Sequence, residues 1–152
     1  MIKNIFIHYF GNIKHRFWVG FYLFKFSMKL FWRAQKHDLS KYSISEAKGF
    51  IKVSHKLKNS TYDSDEYKKN KKIIKPSLDI HYKRNSHHPE HQHYGIGGMS
   101  LVDFVEMWCD WNAAAIRHKD GDIRKSIENN KKRFSICQQL VNILYNERRE
   151  RE

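Results

Sequence analysis

Three stretches of the chain hold side chains that could do chemistry. "KHDLSKY" (residues 36–42) sets an imidazole beside a carboxylate, His37 and Asp38, where an aromatic, helix-like segment gives way to a break. "HYKRNSHHPEHQH" (81–93) holds five of the ten histidines, among them His81, His87 and His88. "MWCDWNAAA" (107–115) places Asp110 among Met107, Trp111, Ala113 and Ala114. A helical carboxylate with such neighbours is expected to be buried, and a buried carboxylate needs a cation or a hydrogen-bond donor. His15 falls on the apolar side of the first segment. Imidazoles and carboxylates meeting from several helices would form a mixed nitrogen and oxygen cage suited to a divalent transition metal or Mg²⁺.

The elements that must position these groups read as helices. From His15, the positions Trp18, Val19, Tyr22 and Phe26 follow helical spacing, and Lys25, Lys29, Arg33 and Lys36 form a basic stripe; one or two amphipathic helices should run to about His37. "SISE" (43–46) spells a capping box, so a further helix should start there and run through Phe50 and Val53. After the polar loop "KNSTYDSD", a helical segment from about Asp65 to Arg84 contains Pro76, which should kink or split it. "NSHHPEHQHYGIGG" has proline, glycines and no periodicity and reads as a loop. "SLVD" (100–103) opens a helix to about His118, and a last helix is expected from about Asp122 to Asn146. The fold class is therefore all-α, a compact single-domain bundle of about five to seven helices.

Composition agrees with a folded chain: 152 residues, 40% hydrophobic, 14% aromatic and 30% charged. The apolar run Phe17–Phe24 is far shorter than the roughly 20 residues of a membrane span. No signal-peptide cleavage pattern follows the start, so a cytoplasmic protein is expected. Cys109 and Cys137 form no metal or disulfide spacing and are expected to be small buried groups, and the four tryptophans are expected in the core. Net charge is +13, with twelve Lys and Arg against two acids in residues 1–60. Such a field concentrates anions, whether nucleotides, nucleic acid or anionic lipid.

The order His15, His37-Asp38, middle-loop histidines, Asp110 resembles the HD-domain superfamily of metal-dependent phosphohydrolases, and "HDLSK" is close to that superfamily's "HDIGK" or "HDLGK", with Ser40 where many relatives have glycine. The likeness covers residues 15 to 111. More narrowly, "HDLSKY", "RNSHHPEH" and "EMWCDW" are similar to a small uncharacterised HD-like family. The resemblance implies that His15, His37, Asp38 and Asp110 ligate one ion (Mn, Co, Fe, Ni, Zn or Mg) and that some of His81, His87 and His88 could hold a second; the two oxygens of Asp38 could bridge to a weaker second position made with His81 and one of His87 or His88. It also implies hydrolysis of a phosphate ester, a nucleotide foremost, by a metal-activated hydroxide. Lys41, Lys83 and Arg84 are candidates for the substrate phosphate, and Glu46, Glu90 and Glu106 for proton transfer. Adjacent residues rarely point the same way, so at most one of His87 and His88 is expected to face the cage.

Two other readings compete: a nuclease or nucleic-acid-binding protein using the basic first half, and a catalytically silent, metal-stabilised interaction module. The sequence leaves oligomeric state open.

Overall fold

The computed structural model describes residues 2–59, 64–117 and 121–147, and within these every side chain but those of 2, 54–59 and 67. The described residues form six α-helices and no strand, the all-α class expected. The chain divides into two units, Met1–His37 and Asp38–Glu152, where the sequence reads as one domain.

The first unit is one helix, α1 (Ile2–Lys36), with seven Lys and Arg and no acid. Its tryptophans, Trp18 and Trp32, are exposed, contrary to the expectation that all four lie in the core. His15 is exposed too. It precedes His37 by 22 residues, and at 1.5 Å per residue the unbroken helix sets them roughly 33 Å apart. His15 and His37 therefore cannot share an ion within one chain, which corrects the four-ligand set drawn from the sequence.

Asp38 opens the second unit in the left-handed region, φ 56° and ψ 15°, a conformation that aspartate tolerates better than most residues. It turns the chain into a short 3-10 turn, Leu39–Tyr42, and then into α2 (Ile44–Asn59). Ser43 starts α2 by accepting the amides of Glu46 and Ala47 on its carbonyl. The capping box that "SISE" spells is not the bond that forms: the Ser43 hydroxyl donates to the Ser40 carbonyl, and the Glu46 carboxylate is used elsewhere.

Helix α3 (Asp65–Arg84) runs through Pro76 without a break. It lies antiparallel to α2, Glu46 meeting His81 at one end and Gly49 meeting Ser77 a turn along. A Cβ on Gly49 would sit 2.1 Å from Ser77 Oγ, so glycine here permits the close approach of the two helices.

Ser100 and Asp103 do form a capping box at α4 (Leu101–Arg117), and Asp103 also accepts the Ser86 hydroxyl, tying the histidine loop to this helix. The single final helix of the sequence reading is two, α5 (Ile123–Phe134) and α6 (Gln138–Asn146), separated where Ser135 adopts φ 52°. The break lets Ile136 enter the apolar cluster of Met107, Trp111, Ile123, Ile127, Val141 and Leu144. Burial of these side chains is what holds α4, α5 and α6 together. Both cysteines are exposed, against expectation.

Candidate metal centre

The ends of α2 and α3, the turn after Asp38 and the loop at 85–88 bring four side chains of the second unit together. Asp38, His81, His87 and His88 each offer a ligand atom, all within 4.8 Å of one another. His81 and His87 are buried, Asp38 and His88 half-buried.

Each buried ring is held from behind. His81 Nδ1 donates to Glu46 Oε2 at 3.0 Å, and His87 Nδ1 lies 3.2 Å from Glu106 Oε1. A ring that donates Nδ1–H to a carboxylate keeps its lone pair on Nε2, and that pairing fixes both tautomer and orientation. The two Nε2 atoms turn to the same oxygen, Asp38 Oδ1, at 3.3 and 3.5 Å. His88 Nε2 stands 2.9 Å from His81 Nε2. Two ligands held about 2.05 Å from one ion lie roughly 2.9 Å apart at a right angle and roughly 3.3 Å apart at the tetrahedral angle. The observed separations of 2.9, 3.3 and 3.5 Å have the lengths of edges around a single ion, and the Asp38 contacts are long for charge-assisted hydrogen bonds. The residues present thus fit a divalent metal, and this group could hold one.

A ligand histidine must be neutral. Burial first, then the neighbouring His87 and His81 rings, lowers the His88 pKa from 6.5 to about 3.

Both adjacent histidines face the group, where at most one was expected. In a helix or strand neighbours diverge, but the loop turns between Asn85 and Pro89: the His88 amide donates to the Asn85 carbonyl, and the rings of His87 and His88 approach to 4.2 Å. Asn85 also serves the site through its side chain, whose amide donates to the Ser40 hydroxyl and the His81 carbonyl. Ser40 in turn donates to Glu46 Oε2. Sequence reasoning gave neither Ser40 nor Asn85 a role at the site, although each lies within four residues of a ligand.

The other residues singled out in the sequence take definite places. Glu46 is fully buried, accepting from His81, Ser40 and Arg84, and Glu106 is buried against His87. Both carboxylates stand behind histidines, in position to orient them. Arg84 is spent on Glu46, Ser43 and Ser45. Lys41 pairs with Asp38 Oδ2 and stands over the Phe50 ring. Lys83 is exposed at the end of α3, its carbonyl bonded by His91. Glu90 pairs with Arg133. Asp110 is half-buried instead of fully buried, and a carboxylate oxygen of it lies within 4.8 Å of one of Asp38. His37 closes the first unit, bonded to Asp38.

A cavity of about 310 Å³ opens beside the group, with His88 and Asp110 in its wall. Tyr82, Trp111 and Phe134 supply aromatic surface and Lys71, Lys125 and Arg133 supply cations; Lys41, Lys83 and Arg84 do not line it. No local signal marks Lys125 or Arg133, because α5 reaches the cavity only through the tertiary fold.

Residues 6–150 match the family described as Family of unknown function (DUF5662), and the chain belongs to that family. No curated protein and no solved structure matches it. No described helix is long and apolar enough to cross a membrane.

Proposed function

We propose that this DUF5662 protein is a metal-dependent phosphohydrolase of the HD-domain type, acting on a small phosphate ester of nucleotide size. The observation that carries the reading is the doubled arrangement in which His81 and His87 each engage a buried carboxylate through Nδ1 and turn Nε2 to Asp38. A divalent ion held by Asp38, His81, His87 and His88 would polarise a phosphoryl oxygen and lower the pKa of a water. Asp38 Oδ2 pairs with Lys41, and a carboxylate oxygen of Asp110 lies within 4.8 Å of one of Asp38, so these two carboxylates could help hold a second ion.

The chain's own residues do the rest. Glu46 and Glu106 keep two rings aimed, with Ser40 and Asn85 bracing Glu46 and His81. The cavity beside His88 takes the organic part of the ester: a planar group finds the faces of Tyr82, Trp111 and Phe134, and Lys125 offers charge to anionic oxygens. A cavity of about 310 Å³ is of the size that takes one small molecule.

The test pairs metal content with phosphate release across nucleoside mono-, di- and triphosphates and cyclic nucleotides. Wild-type protein should bind a divalent ion and, loaded with Mn²⁺, release phosphate from one of these classes. Asp38→Asn, chosen because asparagine also tolerates the φ of 56°, should fold normally and lose the ion. Unchanged metal content in that variant, or no hydrolysis of any ester by loaded wild type, refutes the proposal.

A further inference from the structure

Helix α1 carries a surface that the metal centre does not use. Phe6, Ile13, Phe17, Phe24 and Phe31 are each more than half exposed. At 3.6 residues per turn these five positions fall within about 40° of one another around the helix. Arg16 flanks that sector on one side and Lys3 on the other, each roughly 40–60° from its edge. Lys14, Lys25, Lys29 and Lys36 cluster within about 60° elsewhere on the helix, centred roughly 110° from the phenylalanines. From Phe6 to Phe31 the apolar sector runs roughly 38 Å.

We infer that α1 is an interfacial helix that lies along an anionic lipid bilayer, its phenylalanine sector in the acyl boundary and its lysines at headgroup phosphates. The charge pattern selects this occupant. All seven charged side chains of α1 are cationic. A nucleic acid would meet the lysines but leave a row of exposed phenylalanines in water. A second copy would cover the phenylalanines, but it would set two all-cationic helices side by side with no acid in either. An anionic bilayer meets both demands, since apolar burial and electrostatic attraction add for such a helix. Trp18, Tyr22 and Trp32, which lie among the lysines, have amphipathic rings of the kind that settle at headgroup depth. The helix lies on the bilayer and does not cross it, because its charges leave no apolar window long enough.

The experiment is co-sedimentation of the full chain with phosphatidylcholine vesicles with and without phosphatidylglycerol. Wild type should bind the anionic vesicles and be displaced by high salt. Each lysine near the surface contributes roughly fivefold, so Lys25→Gln, Lys29→Gln, Lys36→Gln together should weaken binding roughly a hundredfold. Phe17→Ser, Phe24→Ser, Phe31→Ser should abolish it, with helix content checked by circular dichroism; the lysine variant, which leaves the apolar pattern intact, keeps the test decisive if the phenylalanine variant loses helix. The inference is overturned by equal binding to neutral vesicles, by anionic binding that either variant leaves unchanged, by preferential binding to duplex DNA in competition, or by a dimer in sedimentation equilibrium that only the phenylalanine variant dissociates.

Discussion

Substituting Gly49 with alanine adds one methyl group between α2 and α3, and its effect should reach the metal centre. The new Cβ would stand 2.1 Å from Ser77 Oγ and 2.8 Å from Ser77 Cβ. The hydroxyl can rotate away, but the Cβ is fixed to the backbone. Carbon atoms rest at roughly 3.5–4.0 Å, so the helices must part locally by about 0.7 Å. Overpacking of this kind costs about 1–3 kcal/mol, offset by about 1 kcal/mol from replacing a helical glycine, a net loss of up to about 2 kcal/mol. Glu46 lies three residues before Gly49 and His81 four after Ser77, one turn along each helix, and their hydrogen bond is 3.0 Å. Parting by about 0.7 Å takes that bond beyond hydrogen-bonding length, and losing a carboxylate behind a ligand histidine weakens metal about 10- to 100-fold. Urea denaturation of the metal-free protein and calorimetric titration with Mn²⁺ measure the two effects. Adding Ser77→Gly should recover the metal affinity more fully than the stability, because a second helical glycine carries its own cost of about 1 kcal/mol. A Gly49→Ala protein as stable as wild type, with unchanged affinity, would refute the argument that this contact sets the site.

Glu106→Gln keeps the shape of the side chain and removes its charge from His87 Nδ1, and calorimetry should show metal bound about 10- to 100-fold more weakly, or about 1.4–2.8 kcal/mol; equal affinity would mean that His87 needs no orienting carboxylate. The metal-free protein should lose stability in acid. His88 has a folded pKa of about 3 against 6.5 when unfolded, so between these values the unfolded chain binds more protons. The stability is fully present above about pH 6.5 and is lost as the pH falls toward about 3, and denaturation midpoints across that window should flatten in a His88→Gln variant.

Local patterns were legible where the physics is local. Helical periodicity and the Ser100–Asp103 cap marked α4, and the same rules marked α2 and α3. They failed where a tertiary gain outweighed propensity. The segment after Asp122 breaks at Ser135 so that Ile136 can be buried. Periodicity also cannot say what a face meets, which is why His15 and Trp18 read as inward-facing and stand exposed.

By itself the sequence determined which groups were available: the His37-Asp38 pair at a helix end, a loop dense in histidine, and an aspartate in a helix of small and apolar residues. Each is recognisable because residue type and spacing are properties of the chain. Only the tertiary structure decided which of them meet. The contact between α2 and α3 puts Glu46 behind His81, and the Asn85–His88 turn, tied to α4 through Ser86 and Asp103, puts Glu106 behind His87 and brings both adjacent rings to Asp38. The physical reason is that a ligand set is a matter of distances between atoms. Thirty-five residues separate Glu46 from His81 along the chain, and only the close approach at Gly49 reduces that separation to one hydrogen bond.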